Sequence, residues 1–175
     1  QVAAVSFSVC IFCGSSFGDD PRYAQAARET GVEIARRGWT LVYGGARVGL
    51  MGVVANAALD AGGRVVGVVP RFLYEREVGH DGITSLEIVG SLTERKLRMG
   101  ELSDAFLALP GGIGTLDEMF EAWSWSQVGL QSKPSGLLNV AGYYDALVSF
   151  IERATAAGFV KPQHRQWLSV SDDVG

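Results

Sequence analysis

The stretch Leu109-Pro110-Gly111-Gly112-Ile113-Gly114-Thr115-Leu116-Asp117-Glu118 organises the reading of this chain. An apolar, β-prone segment, Ala105 to Leu109, leads into it, and a helical pattern carrying Met119, Phe120, Ala122 and Trp123 leads out. It therefore reads as strand, glycine turn, helix start. Glycines at 111, 112 and 114 let the backbone turn sharply and lie close to a ligand. Thr115 has the place of an N-cap, with Glu118 at the capping-box spacing. The free N–H groups of such a helix start favour an anion, most often a phosphate. A carboxylate one turn into the helix then stands near whatever the phosphate is attached to.

The same unit recurs along the chain. Phe7 to Cys13 is a continuous apolar run, as expected of a strand buried on both faces. Gly14-Ser15-Ser16 follows, then a helix capped by Asp19 or Asp20 with Pro21 in its first turn, ending by Gly38. Thr40 to Tyr43 is a second strand. It runs into Gly44-Gly45-Ala46-Arg47-Val48-Gly49 and a helix from about Leu50 to the Gly62-Gly63 pair. Arg64 to Val69 is a third strand, closed by Pro70. Arg71 to Gly90 is expected to form a long functional loop, with a fourth strand at Leu86 to Val89. Ser91 to Glu94 is a second capping box. It opens a helix that carries Arg95, Lys96, Arg98 and Met99 and ends near Ser103. After the central glycine turn and its helix, broken by Lys133-Pro134, come a sixth strand (Gly136 to Val140), a long helix (Tyr143 to Ala157) and a last short strand or turn around Trp167 to Val170.

This alternation predicts an α/β fold: a doubly wound, mostly parallel, Rossmann-like sheet with helices on both faces, in a single domain over residues 1–175. Right-handed crossovers would bring the turns after the first, second and fifth strands to the carboxyl edge of the sheet, where ligands of such folds bind. Three glycine or serine turns on one edge suggest a nucleotide or sugar phosphate site. The alternative for each is a tight turn with no ligand.

Several classes lose ground. The G-x-G-x-x-G dinucleotide fingerprint is absent after the first strand, and the Gly44 to Gly49 spacing lacks the lysine of a phosphate-binding P-loop. A net charge of −4 argues against a general affinity for nucleic acid. No apolar run approaches the ~20 residues that span a bilayer, and nothing basic precedes the first apolar stretch. A cytoplasmic protein without membrane contact is expected. Cys10 and Cys13 have C-x-x-C spacing, which admits a redox pair or half a metal site. Their place within a strand, where residues three apart point to opposite faces, favours core packing.

Arg95, Arg98 and Met99 share one helix face, which is either solvated or turned toward an acid or a bound anion. Glu118 is either a capping carboxylate or an acid–base group beside a ribose. In the second case it can stabilise the oxocarbenium charge that builds when an N-glycosidic bond breaks.

Tyr43-Gly44-Gly45 with Gly49-Leu50-Met51-Gly52, Glu94-Arg95-Lys96, and Pro110-Gly111-Gly112-x-Gly114-Thr115-x-x-Glu118 together resemble the LOG ("Lonely Guy") family. These are cytokinin riboside 5′-monophosphate phosphoribohydrolases, long labelled possible lysine decarboxylases. The resemblance runs from Phe7 to about Val170. It implies cleavage of an N6-modified adenosine 5′-monophosphate, or AMP itself, to free base and ribose 5-phosphate, without cofactor or metal. By that resemblance Arg95 and Glu118 are the catalytic pair. Lys96, Gly111, Gly112, Gly114 and Thr115 fall in the phosphoribose site, and Glu77 is a substrate-binding acid. Ser15 and Gly45 belong to the converging turns, and Met99 and Ser124 border the pocket. A homodimer is implied, with Trp123, Trp125 and Val128 suited to a buried contact or to the core. Ala46 and Ile113 depart from the commoner family residues. The alternative is a binding protein of the same fold that holds a nucleotide or a molybdopterin-like phosphate ligand without turning it over. The decarboxylase label finds no pyridoxal phosphate motif around Lys96, Lys133 or Lys161.

Overall fold

The computed structural model describes residues 6–175, apart from the side chain of Glu77. Its centre is a seven-stranded, all-parallel sheet in the order β4-β3-β2-β1-β5-β6-β7. The strands are β1 (Ser8–Phe12), β2 (Thr40–Tyr43), β3 (Arg64–Pro70), β4 (Ser85–Val89), β5 (Ala105–Ala108), β6 (Ser135–Leu138) and β7 (Leu168–Ser171). The chain steps outward from β1 to β4, returns to pair β5 with the other side of β1, and steps outward again. The reversal point between β1 and β5 is where doubly wound sheets open a ligand crevice.

Residues of β1 alternate between two cores. Val9, Ile11 and Cys13 face one layer with Leu41, Tyr43 and Val65. Helices α1 (Pro21–Arg36) and α2 (Gly49–Asp60) cover it through Ala27, Ile34, Leu50, Val54 and Ala58. Cys10 and Phe12 face the other layer with Val42, Val66 and Phe106. Helices α4 (Leu92–Leu102), α5 (Ile113–Gln127) and α6 (Asp145–Ala156) cover that one through Met99, Met119, Ala122, Trp123 and Ile151. Burying each large aliphatic side chain contributes about 1.5–3 kcal/mol before entropy is subtracted. Small residues let α1 and α2 touch: a Cβ on Gly31 would stand 2.4 Å from the Val54 carbonyl oxygen. Both cysteines are free and buried on opposite faces, as core packing requires. Burial pushes both thiols well above their ordinary range.

Helix starts follow the sequence signals with three changes. Asp20 caps α1 by accepting from the Arg22 amide at 2.9 Å, with Pro21 in the first turn. Ser91 caps α4 by accepting from Glu94 N at 3.1 Å, but the Glu94 carboxylate accepts from Gly90 N instead of closing back on Ser91. Helix α5 starts at Ile113, so Gly112 is its N-cap residue and Thr115 lies inside the first turn. The expected loop after β3 is partly helical. A short turn α3 (Arg71–Leu73) runs into a π-helical turn, Tyr74–Val78. The expected helix from Tyr143 begins at Asp145 after a 3-10 turn, Val140–Gly142, and a further helix α7 (Pro162–Gln166) precedes β7. Among the described residues no helix is long and apolar enough to cross a membrane.

Candidate active site

Three turns meet at the reversal point because one residue ties them together. Gly14, after β1, donates its N–H to the Pro110 carbonyl at 3.0 Å. Its own carbonyl accepts from the amides of Leu50 and Met51, at 3.0 and 3.3 Å, in the first turn of α2. The close approach demands glycines. A Cβ on Gly49, whose φ is +55°, would stand 2.2 Å from the backbone carbon of Ser15. A Cβ on Gly111 would lie 2.0 Å from Thr115 Oγ1. Thr115 thus fills the space above Gly111 rather than capping the helix.

A cleft of about 520 Å³ opens between these turns. Gly14, Ser15, Gly112, Gly114 and Thr115 form one side, and Val48, Met51, Val69, Leu73 and Val78 form the other. No side chain caps α5, so its leading amides stand at the cleft, an arrangement suited to an anion. The segment from α3 through Val78 hangs over the second turn by backbone bonds, Arg47 N to Val78 O and His80 N to Gly45 O, each 2.8 Å.

Arg95 and Glu118 meet on the floor of the cleft. Arg95 Nη2 donates to Glu118 Oε1 at 2.9 Å, and the two side chains are only 11% and 12% exposed. Among the described residues the buried Arg95 Nε has no acceptor. Burial raises the Glu118 pKa above its ordinary value, and the Asp117 carboxylate adds to this; Arg95 and Lys96 oppose it without cancelling it. The folded chain therefore holds the Glu118 proton more tightly than the unfolded chain does. That contribution to stability is whole below the ordinary glutamate value and fades as pH rises through the raised one.

The other expected residues separate. Ser15, Gly112, Gly114 and Thr115 line the cleft. Gly111 sits behind it under Thr115. Gly45, at φ +76°, shapes the second turn against Val69 and Leu86. Lys96 turns outward and pairs with Asp117, at 3.0 Å, and with Glu121. Consecutive helical residues point about 100° apart, and here Arg95 faces Glu118 while Lys96 faces Asp117 and Glu121. Met99 is corrected to a core residue, 1% exposed, beside Cys10 and Val42. Helix α4 runs away from the carboxyl edge of the sheet, so one turn beyond Arg95 is already beneath it. Ser124 is exposed and bonds to the Glu121 carbonyl. The Glu77 side chain lies outside the described residues. Ala46 keeps negative φ, as its departure from glycine requires. The apolar wall and Cys13 were missed because nothing in their sequence distinguishes them from core.

An open α/β sheet with an anion-suited helix start and a buried carboxylate–guanidinium pair at its reversal point belongs to the Rossmann-type ligand-binding class. Its fold is shared with the molybdenum cofactor binding protein of Rippkaea orientalis, at a TM-score of 0.73 and 23% identity over 98% of this chain and 93% of that one. The chain belongs to the family described as "Possible lysine decarboxylase", which matches residues 51–175. Within it, the chain is 51% identical to a cytokinin riboside 5′-monophosphate phosphoribohydrolase of Rhodococcoides fascians, over 95% of this chain and 85% of the relative. It is also 51% identical to a "Probable" enzyme of that name from Oryza sativa subsp. japonica, over 94% and 73%. An Arabidopsis thaliana enzyme of the same name is 46% identical over 90% and 74%.

Gly49→Ala is expected to lower stability by about 2–4 kcal/mol, combining the left-handed backbone with overpacking against Ser15. Urea denaturation with an unchanged slope and a lower midpoint measures it.

Proposed function

We propose that this protein hydrolyses the N-glycosidic bond of a cytokinin riboside 5′-monophosphate, an N6-modified AMP, and of AMP itself, releasing free base and ribose 5-phosphate. The observation that carries this reading is the buried Arg95–Glu118 pair beneath the uncapped start of α5. The names of relatives at 46–51% identity agree with it. In this reading the 5′-phosphate sits on the amides at the start of α5, which leaves C1′ of the ribose over Glu118. As the C–N bond breaks, its electron pair leaves with the base and positive charge develops on the ribose. Ionised Glu118 stabilises that charge and accepts the proton of the attacking water, whose oxygen bonds to C1′. The proton taken from water balances the one that the departing base nitrogen gains, which leaves Glu118 ionised again. Arg95 offsets part of the effect of burial and so favours the carboxylate form that the reaction needs, and it offers its unpartnered Nε to the ligand. The apolar wall of Val48, Met51, Val69, Leu73 and Val78 suits the base and its substituent.

The reading includes a homodimer in the cytoplasm. Trp123 belongs to the core, its indole N–H bonded to the His164 carbonyl at 2.9 Å, so it is unavailable for a subunit contact. Val128 is 67% exposed, and Leu97, Trp125 and Leu130 line an apolar hollow of about 230 Å³ beside α4. That face supports self-association.

Glu118→Gln is expected to cut base release from N6-prenylated AMP by a factor of a hundred or more while leaving the circular dichroism spectrum unchanged, in keeping with the usual weight of a general acid–base group. Chromatography of free base from prenylated AMP, AMP and the matching nucleosides tests this; undiminished turnover by the variant, or nucleosides cleaved as fast as nucleotides, would sink the reading. Because the reaction needs ionised Glu118, the acid limb of kcat/KM is expected above 4.5, the ordinary glutamate value. A pH–rate profile checks this. Replacing Leu97 and Leu130 with Glu is expected to give a monomer by sedimentation velocity.

A further inference from the structure

The carbonyls of Leu109, Pro110 and Gly111 in the central glycine turn each accept from a donor elsewhere in the fold, and Tyr143, the donor to Gly111, is outside the cleft lining. Leu109 O accepts from Tyr144 Oη at 2.6 Å, Pro110 O from Gly14 N at 3.0 Å, and Gly111 O from Tyr143 Oη at 2.5 Å. The last bond bears on ligand binding. The carbonyl of Gly111 and the N–H of Gly112 belong to one planar trans peptide, so they point in opposite directions. We infer that Tyr143 is a positioning residue: by holding the Gly111 carbonyl outside, its hydroxyl aims the Gly112 N–H at the bound 5′-phosphate. This rests on the functional reading above.

The segment that carries Tyr143 is built for a fixed placement. Ala141, at φ 53° and ψ 30°, is the one non-glycine residue with positive φ among the described residues, and Gly142 follows at φ 73°. A left-handed alanine costs about 1–2 kcal/mol and persists only where its surroundings over-determine it. Here the surroundings are specific. Asn139 Oδ1 accepts from Tyr144 N and Asn139 Nδ2 donates to Asp145 Oδ1, both at 2.7 Å. The Tyr143 ring is held edge-on between Tyr23 of α1, at 5.5 Å, and Tyr144, at 4.9 Å. Donors fixed before the ligand arrives need no reorganisation when it binds.

The two tyrosines predict opposite signatures. Tyr143 is 41% exposed, so water can replace its hydroxyl on Gly111 while the ring stays packed. Tyr144 is 2% exposed and Leu109 is fully buried, so losing that hydroxyl leaves a carbonyl without a donor. Calorimetric titration of wild type, Tyr143→Phe and Tyr144→Phe with ribose 5-phosphate and separately with adenine, beside thermal melts, separates the roles. For Tyr143→Phe the expected result is ribose 5-phosphate bound about three- to tenfold more weakly, adenine affinity and Tm little changed, and KM for the nucleotide raised more than kcat is lowered. Tyr144→Phe should instead lower Tm. Ribose 5-phosphate bound equally by wild type and Tyr143→Phe overturns the positioning role alone. Parallel losses of Tm and of both affinities in Tyr143→Phe also overturn it, in favour of a scaffold role. A wild type that binds no ribose 5-phosphate overturns the functional reading and this inference with it.

Discussion

The site depends on the peptide groups of Gly14. Through them the end of β1 bonds to the turn after β5 on one side and to the first turn of α2 on the other. Each bond contributes only about 1 kcal/mol net. Their effect is geometric: they put two helix starts and the Ser15 turn around one cleft. A parallel sheet supplies the opportunity, since all its carboxyl ends lie on one edge. Absent Cβ atoms at Gly49 and Gly111 supply the closeness, because Ser15 and Thr115 occupy the space that side chains would need.

Electrostatics give the cleft its floor. A buried ion pair is a poor way to gain stability, since desolvation offsets most of the attraction. In Arg95 and Glu118 the balance is visible: the carboxyl group stays shifted toward its neutral form although a guanidinium touches it. A carboxylate of that kind sits closer to the pH at which it can exchange a proton than a surface glutamate does. Lys96 forms a second link from α4 to α5, through Asp117 and Glu121. The adjacent Arg95 and Lys96 thus meet different acids of α5, Arg95 pairing with Glu118 and Lys96 with Asp117 and Glu121.

Much of this was legible beforehand. The apolar run ending at Cys13, the exact span of β2 and the punctuation at Gly38, Gly62-Gly63 and Pro70 marked the α/β alternation, because each element carries its own periodicity and stop signal. The converging turns followed from connection handedness. T-x-x-E spacing describes a capping box only when the threonine precedes the helix, and Thr115 lies inside it. The extended backbone of Gly112 starts α5 earlier and sends Thr115 into the gap above Gly111. Helix spacing gives Met99 a face shared with Arg95 but not its depth along the helix axis, and the structure buries it in the core with Cys10 and Val42.

Local chemistry in the chain was sufficient for the architecture and the three turns, since these rest on periodicity and glycine placement within a few residues; Arg95 and Glu118 stood out as a pair only through the resemblance of their motifs to a family. Packing alone decided that Lys96 faces two acids, that Met99 is core, that Val48, Met51, Val69, Leu73 and Val78 form a cleft wall, and that Tyr143 reaches back to Gly111 across 32 positions of chain. These are contacts between residues far apart in sequence. Their distances are set by how helices seat on the twisted sheet, which no local pattern encodes.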